Sequence, residues 1–448
     1  MTQVFRWMLT AGMAVLAVTV ITAQAPQQPT ELELVISGDP GSPPRYAVPE
    51  FVAATPEAAE VAKTLSQVLW DDLNFEREFY MIPRDTAATV PAARTADQIP
   101  FPAWRELGTD AVVFGSVQQT GTAVTVQVRL FNVRTRQSVM AKEYSGSTAN
   151  PRLYAHTMSD DIHQQQRALR GVARTKLAFS SNRNRERVVG GVQDREVKEI
   201  YIADYDGANV RRITTNRQLN ITPAWSPDAR TVAYTSYRRG YPDIFLALIY
   251  QGVQEEPTTK GTQNYLPVFS PDGTRIAFVS SRGGSDSEIY VMNRDGSNVR
   301  RITNNPGIDV TPTWSPTGAQ IAFTSDRAGT PQIYIVGADG LNLRRLTSGE
   351  SYADRPTWSP APFNEIAFSA RTGRGYDIKV YDLAAGQTRQ VTFGEGSNES
   401  PAYSPNGRHL AFSSTRTGKV QVFTIGRDGR GLTQVTRDGD NYTPAWSN

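Results

Sequence analysis

The strongest constraint on this 448-residue chain is a phrase that returns five times at a nearly fixed period. It reads TPAWSPDARTVAYTS (222–236), LPVFSPDGTRIAFVS (266–280), TPTWSPTGAQIAFTS (311–325), RPTWSPAPFNEIAFS (355–369) and SPAYSPNGRHLAFSS (400–414). Its aromatic member falls at Trp225, Phe269, Trp314, Trp358, Tyr403 and Trp446, in steps of 43 to 45 residues. The alanine of the Ile-Ala-Phe element falls at Ala178, Ala233, Ala277, Ala322, Ala367 and Ala411. Glu-Ile-Tyr-type strands follow at 200–203, 244–247, 289–292, 333–336, 378–381 and 421–425. Closing Arg-Arg-Ile-Thr-type strands follow at 211–214, 300–303, 344–347, 389–392 and 433–436. Ser-Pro-Asp-Gly supplies the first turn, since proline presets φ and glycine accepts positive φ, and Asp-Gly supplies the last. Four short strands per unit of this length predict one propeller blade. The alanine is expected to leave room for an aromatic of the next blade.

Six alanines and six aromatics predict six blades, but the two series are offset. The first unit opens on its second strand, TKLAFSS (175–181), and the chain closes on a lone first strand, TPAWS (443–447). The expected solution is a ring in which that strand completes the first blade and removes the free edges. An open solenoid is the competing reading, and it calls for polar capping repeats at both ends. The second unit is irregular: 250–260 lacks Asp-Gly and carries Glu-Glu-Pro-Thr-Thr in the closing position.

Residues 1–25 are read as a signal peptide, with Arg6 ahead of an uncharged apolar stretch (8–23) and small residues at Ala23 and Ala25, either of which fits cleavage. A membrane anchor is the alternative, the stretch being slightly short of a span. No later segment is long and apolar enough to cross a bilayer, so the mature chain is expected outside the cytoplasm, without a membrane span. Residues 31–170 have a different grammar. ELELVIS (31–37), RYAVPEF (45–51) and EFYMI (78–82) read as strands. Thr55-Pro56 opens a helix with Val61, Leu65, Val68, Leu69 and Leu73 at helical spacing. FPAWREL (101–107) reads as a short helix, followed by strands at 110–118, 123–132 and 138–145. A last helix runs from Asn150-Pro151 to Gly171. The fold class is therefore mainly β: an N-terminal α/β domain (31–170) and a six-bladed propeller (175–448) closed by 443–447.

Little chemistry accompanies this framework. Cysteine is absent, which removes disulfides, thiolate metal sites and cysteine nucleophiles. The three histidines are His156, His163 and His409. The first two stand two helical turns apart, too far to share a metal, and read as ordinary surface or packing residues. There is no serine elbow, zinc-helix or phosphate-loop motif. Asp228 and Asp272 of the repeated turns are explained by turn formation rather than by calcium. Catalytic residues, metal ligands and cofactors are all expected to be none. A net charge of +3 with no recognisable module gives no nucleic-acid partner. One constellation stands out. Arg183, Arg238, Arg282, Arg327 and Arg416 lie four residues after the second-strand aromatic, and Arg371 three after it. Strand alternation puts them on the face of the blade-to-blade connections, as a ring round one channel mouth. There they either anchor a partner's carboxylates or pair within their own blades.

The passages LGTDAVVFGSV (107–117), LYAHTMSDDI (153–162) and GVARTKLAFSS (171–181), in this order beside the blades, resemble the TolB family. The resemblance covers nearly all of the chain after the apolar leader. It implies a periplasmic, non-enzymatic component of the Tol-Pal system. In that family the propeller binds Pal, a peptidoglycan-associated lipoprotein, and the mature N-terminus engages the C-terminal domain of TolA; other outer-membrane proteins are further partners. The segment matching the TolA-binding stretch is ELELVISGDPG (31–41), with Glu31, Leu32, Glu33, Leu34, Val35 and Ile36 at its centre. It follows several extra residues such as Pro26 and Gln27. Two other functions fit such blades: a channel that binds a glycan or small ligand, and a non-catalytic relative of the propellers that precede prolyl-oligopeptidase-type hydrolase domains.

Overall fold

The structure, a computed structural model, describes residues 42–188, 195–255, 262–284 and 286–448. The signal peptide and the 31–37 strand lie outside them. Residues 176–446 form six four-stranded antiparallel sheets. In five of them the strands follow chain order, innermost first: Asn220–Trp225, Thr231–Ser236, Asp243–Leu248 and Val253–Glu255 make blade 2. Blade 1 is assembled from both ends of the repeat. Asn441–Trp446 pairs with Lys176–Ser181, from Asn441 opposite Ser181 to Trp446 opposite Leu177, and closes the ring. The irregular second unit still forms its fourth strand, reached through Gly252 at φ 67° in place of an Asp-Gly turn.

Two repeated devices join the blades. The first is apolar. Each landmark alanine shares a fully buried cluster with the second-strand aromatic of the next blade: Ala178 with Tyr234, Ala233 with Phe278, Ala277 with Phe323, Ala322 with Phe368, Ala367 with Phe412, and Ala411 with Phe179. Successive strand residues point to opposite faces, so an Ala-aromatic dipeptide offers a socket to one neighbour and a plug to the other. Burying each aromatic is worth about 2–3 kcal/mol.

The second device is polar. The threonine of the closing element turns back on the third strand. Thr303 Oγ1 accepts the Ile289 N–H (2.9 Å) and donates to Glu288 (2.5 Å). Thr392 bonds Ile378 N and Asp377 likewise, and Thr436 bonds Val422 N and Gln421. The same third-strand acceptor also takes an asparagine amide from the next blade: Asn220 to Glu199 (2.9 Å), Asn264 to Asp243 (3.0 Å), Asn398 to Asp377 (3.0 Å) and, across the closing seam, Asn441 to Gln421 (2.9 Å). All four asparagines are fully buried, where an unmade bond costs about 1–3 kcal/mol.

The α/β domain is one sheet with helices on both faces. Its strands are β1 (Arg45–Ala47), β2 (Val52–Ala53), β3 (Tyr80–Met81), β4 (Ala111–Thr120), β5 (Ala123–Asn132) and β6 (Ser138–Ser147), in the order β3-β1-β4-β5-β6, with β2 beside β4. RYAVPEF is thus two short strands, because Pro49 lacks the N–H that one continuous strand would use. The strand expected over 78–82 shrinks to β3. Helices α1 (Ala59–Glu76) and α4 (Arg152–Arg167) pack on one face; α2 (Arg84–Ala87) and α3 (Phe101–Glu106) cover the other. Thr55 does not cap α1; its hydroxyl bonds Gln119 O, and a 3-10 turn (Pro56–Ala58) comes first. Helix α4 stops short of Gly171. Ala168 takes a left-handed φ of 51°, and Asp160 then binds the N–H of Ala173 and the guanidinium of Arg174 in the joint to the propeller.

Removing residues 441–448 strips the inner strand from blade 1 and frees the Lys176–Ser181 edge. Thermal denaturation of the truncated chain should show the midpoint lowered by roughly 10 °C or more, or no soluble protein. An unshifted midpoint contradicts closure by this strand.

Candidate functional site

Two places on the propeller combine strain, buried charge or an opening: the channel, and the surface that carries the α/β domain. The channel is walled by the six inner strands. Each contains an Xaa-Pro step at which pairing with the second strand shifts register. The residue before proline has positive φ every time: Thr222 (52°), Leu266 (54°), Thr311 (52°), Arg355 (55°), Ser400 (58°) and Thr443 (48°). This conformation is uncommon for side chains other than glycine and costs on the order of 1–3 kcal/mol. Here it is held from outside. The N–H of Leu266 donates to Thr235 Oγ1 (3.0 Å), that of Arg355 to Thr324 Oγ1 (3.2 Å), that of Ser400 to Ser369 Oγ (3.0 Å) and that of Thr443 to Ser413 Oγ (3.0 Å). Each acceptor hydroxyl belongs to the preceding blade, so at four of the six positions the wall is shaped by a neighbouring blade. The passage measures about 270 Å³, and Arg355 is the one charged residue among those lining it. Its guanidinium lies 3.8 Å from Asp354, which also accepts from Thr324 (2.9 Å).

The arginines predicted to ring the mouth begin the loops between second and third strands, and most are engaged inside their own blade. Arg183 bonds Ser181 and Asn441 and stacks over Tyr201 at 4.9 Å. Arg282 bonds Ser280 (3.1 Å) and Asn264 (2.9 Å). Arg327 bonds Ser325 and, at 2.7 Å, Asp309. Arg416 bonds Ser414, Asn398 and Glu395. Arg238 sits 3.9 Å over the Phe245 ring. Arg371 is exposed within the longer strand Glu365–Thr372. Burial lowers the pKa of Arg183, Arg282 and Arg416 from the usual guanidinium value. These side chains brace the loops that border the opening. Glu31, Leu32, Glu33, Leu34, Val35 and Ile36 lie outside the described residues.

The opposite face, with the Ser-Pro-Asp-Gly and Asp-Gly turns, carries the α/β domain, and here the sequence reading missed a constellation. Helix α1 sets Asp72 and Glu76 one turn apart, both nearly inaccessible. Asp72 accepts from Tyr205 of blade 1 (2.7 Å) and pairs with His156 Nδ1 of α4 (2.8 Å). The other ring nitrogen of His156 faces Asp204 of blade 1 at 3.8 Å, an ion-pair distance; Asp204 is also held by Lys176 at 2.6 Å. Glu76 turns to blade 6, toward His409 (3.3 Å) and the Asn406 amide (3.2 Å), while accepting the Val172 N–H of the joint (2.8 Å). Phe75 stacks on His409 and lies tilted against Tyr205. At the rim, Arg152 pairs with Asp206 of blade 1, and Glu78 with Arg408 of blade 6. Blades 1 and 6 are the two joined by the closing strand, so α1 straddles the seam. The sequence signal was present: two carboxylates in the apolar stripe of Leu65, Leu69 and Leu73. His156 and His163, read as ordinary surface or packing residues, are both buried, and His156 belongs to this charged cluster. Among the described residues no three His, Cys, Asp or Glu side chains group to hold a metal ion. No helix there is long and apolar enough to cross a membrane.

An α/β domain seated across the seam of a closed six-bladed propeller, with a shaped channel beneath it, defines a two-domain propeller protein. The family model described as the TolB beta propeller domain matches residues 164–448, and that described as the TolB amino-terminal domain matches 32–139. The chain belongs to the TolB family. It is 34% identical over 265 residues to the Tol-Pal system protein TolB of Desulfosudis oleivorans, covering 58% of either chain. It is 37% identical over 218 residues to that of Geobacter sulfurreducens, covering 49% of this chain and 48% of the other. The chain thus spans about half the length of these curated relatives. Against the crystal structure of TolB from Acinetobacter baumannii the TM-score is 0.77 at 28% identity, over 91% of this chain and 97% of that one.

The charge cluster sets a pH window. For His156 burial opposes the charge, but Asp204 and Asp72 outweigh it and raise its pKa from 6.5 to about 9. Burial, opposed by His156, lifts Asp72 to about 6. Both groups hold a proton more tightly in the folded state. The contribution of His156 is therefore complete below pH 6.5 and lost as pH rises through about 9. Glu76 and Asp204 resist their burial through His409 and through His156 with Lys176, respectively. They sit below the usual carboxylate range, so their contributions disappear at the acid end. Melting temperatures should fall between pH 6.5 and 9.5 in the parent. In His156→Gln the slope should flatten, with a loss on the order of 2 kcal/mol at pH 6.5. A parent midpoint that stays level across this range contradicts the assignment.

Proposed function

We propose that the chain is a non-catalytic periplasmic scaffold of the Tol-Pal system, exported by its N-terminal signal peptide. In this reading it links inner-membrane TolA to the outer-membrane lipoprotein Pal and supports outer-membrane integrity and constriction at division. Its membership of the TolB family and its likeness to relatives that are Tol-Pal system proteins support this role. The observation that carries it is the channel wall. Six backbones at positive φ, four of them held by a hydroxyl of the preceding blade, form a socket built by the protein itself. A preformed concave surface of this kind favours protein binding because little is ordered on association. The lipoprotein inserts a loop into the channel from the face of the blade-to-blade connections. Residues 31–36 engage the C-terminal domain of TolA.

Calorimetry with the soluble domain of a Pal-type lipoprotein tests the first contact. Arg355→Glu reverses the one charge lining the channel, and Ser400→Trp fills part of the passage; each should weaken binding by roughly tenfold or more. Equal affinity for parent and both variants moves the contact off the channel. Retention of a glycan on an array without any lipoprotein binding replaces the scaffold with a carbohydrate-binding propeller. Deleting Glu31–Ile36 should abolish binding of TolA's C-terminal domain and leave the lipoprotein titration unchanged.

A further inference from the structure

The face of the blade-to-blade connections carries a second feature at its edge. Where the connection from blade 6 enters the closing strand, a cleft of about 330 Å³ opens, lined by Arg183, Arg185, Lys419 and Arg437, with Asp438 as the only acidic group in its wall. Three other arginines on this face meet carboxylates within 3.2 Å, Arg239 with Asp243, Arg327 with Asp309 and Arg416 with Glu395, while Arg282 bonds the neutral Asn264 as Arg183 bonds Asn441. Among the described residues no carboxylate lies within ion-pair distance of the four cations in the cleft. The reason is partly positional. Blade 4 offers Asp309 to its loop arginine, whereas blade 1 offers the neutral Asn441 to Arg183. Three other nearby carboxylates are occupied: Asp440 accepts the Val420 N–H (3.0 Å) and the Asn182 amide (3.2 Å), Glu196 accepts the same amide (2.5 Å), and Glu186 is held by Arg212 (2.6 Å) and Asn184 (3.2 Å).

The walls are fixed rather than incidental. Arg183 is clamped by Ser181, Asn441 and the Tyr201 ring. Gly439, at φ 69°, presses so close that a Cβ there would lie 2.6 Å from Arg183 Cα. Asp440 N donates to Asn182 Oδ1 (2.6 Å) and locks the connection onto the loop. Arg185, Lys419 and Arg437 are exposed and free to close round a ligand. Four cations set against a single carboxylate in the wall, Asp438, leave an excess of positive charge, and a compact anion relieves the resulting repulsion. Guanidinium forks bind oxyanions by paired hydrogen bonds.

We infer that this cleft is an oxyanion site that takes phosphate, free or as a monoester, through Arg183, Arg185, Lys419 and Arg437. Phosphate fits better than a carboxylate because it places up to two charges and several acceptor oxygens in one small volume. A single carboxylate leaves most of the four cations unneutralised.

Calorimetry on the purified full chain in phosphate-free, low-salt buffer tests the inference, with inorganic phosphate, glycerol 3-phosphate and tetraglutamate as probes. Phosphate should saturate one site. The double variant Arg185→Ser/Arg437→Ser should weaken it by roughly tenfold or more, as should about 0.5 M sodium chloride, while Arg129→Ser on the α/β sheet leaves it unchanged. Both substituted arginines are exposed, so an unaltered melting temperature separates loss of the site from loss of the fold. Glycerol 3-phosphate binding as tightly as phosphate assigns the site to a phosphate carried on a larger molecule. Its exclusion assigns the site to the free ion, and either result upholds it. No saturation by about 10 mM phosphate, equal binding by the double variant, or tighter binding of tetraglutamate overturns it.

Discussion

The pairing of Asn441–Trp446 with Lys176–Ser181 is the interaction on which the rest of the molecule depends. A propeller blade cannot bury both faces of its sheet alone. Its alanine face needs the next blade's aromatic, and in four blades the buried third-strand acceptor needs the next blade's asparagine. With the ring closed, every blade has two neighbours, and Ala411 meets Phe179 as Ala178 meets Tyr234. With the ring open, one aromatic row and one set of polar groups lose their partners at once. The strained backbone of the channel wall depends on the same closure, since hydroxyls of neighbouring blades hold it in place.

The α/β domain sits where that closure is made. Carboxylates as deeply buried as Asp72 and Glu76 are a poor source of net stability, because desolvation offsets most of the attraction they gain. They do fix geometry. Asp72 accepts only where Tyr205 and His156 present their donors, and Glu76 only where His409, Asn406 and Val172 N converge. The arrangement fixes one orientation of the helix on the seam, and its charge state links that orientation to pH.

Much of the architecture was legible because a 44-residue repeat exposes strand order, turn chemistry and the alanine socket together. The offset between Ala178 and Trp446 is the trace of the closing pair. What escaped was decided by tertiary contacts. The break in RYAVPEF follows from Pro49, but that α4 ends at Arg167 rather than at Gly171 goes with the joint tied by Asp160. The arginine periodicity was visible, but not that Ser181, Ser280, Ser325 and Ser414 would hold these side chains within their blades. The charged face of α1 was missed because helical spacing was read through its leucines and valines alone. Nothing local marks Asp72 as the partner of a tyrosine 133 positions away. The paired positive φ and proline in the channel left only the Xaa-Pro dipeptides as a clue, and proline normally argues for an extended predecessor.

The closing strand also has a consequence for assembly. Its partner lies some 265 residues earlier, so the ring stays incomplete until the far end of the repeat has been delivered, and contacts of such long separation form slowly. During that interval Lys176–Ser181 presents an unpaired inner edge shaped to accept Asn441–Trp446 from any copy of the chain. In a crowded compartment the competing product is therefore a strand-exchanged dimer, in which two rings each finish the other with native pairings.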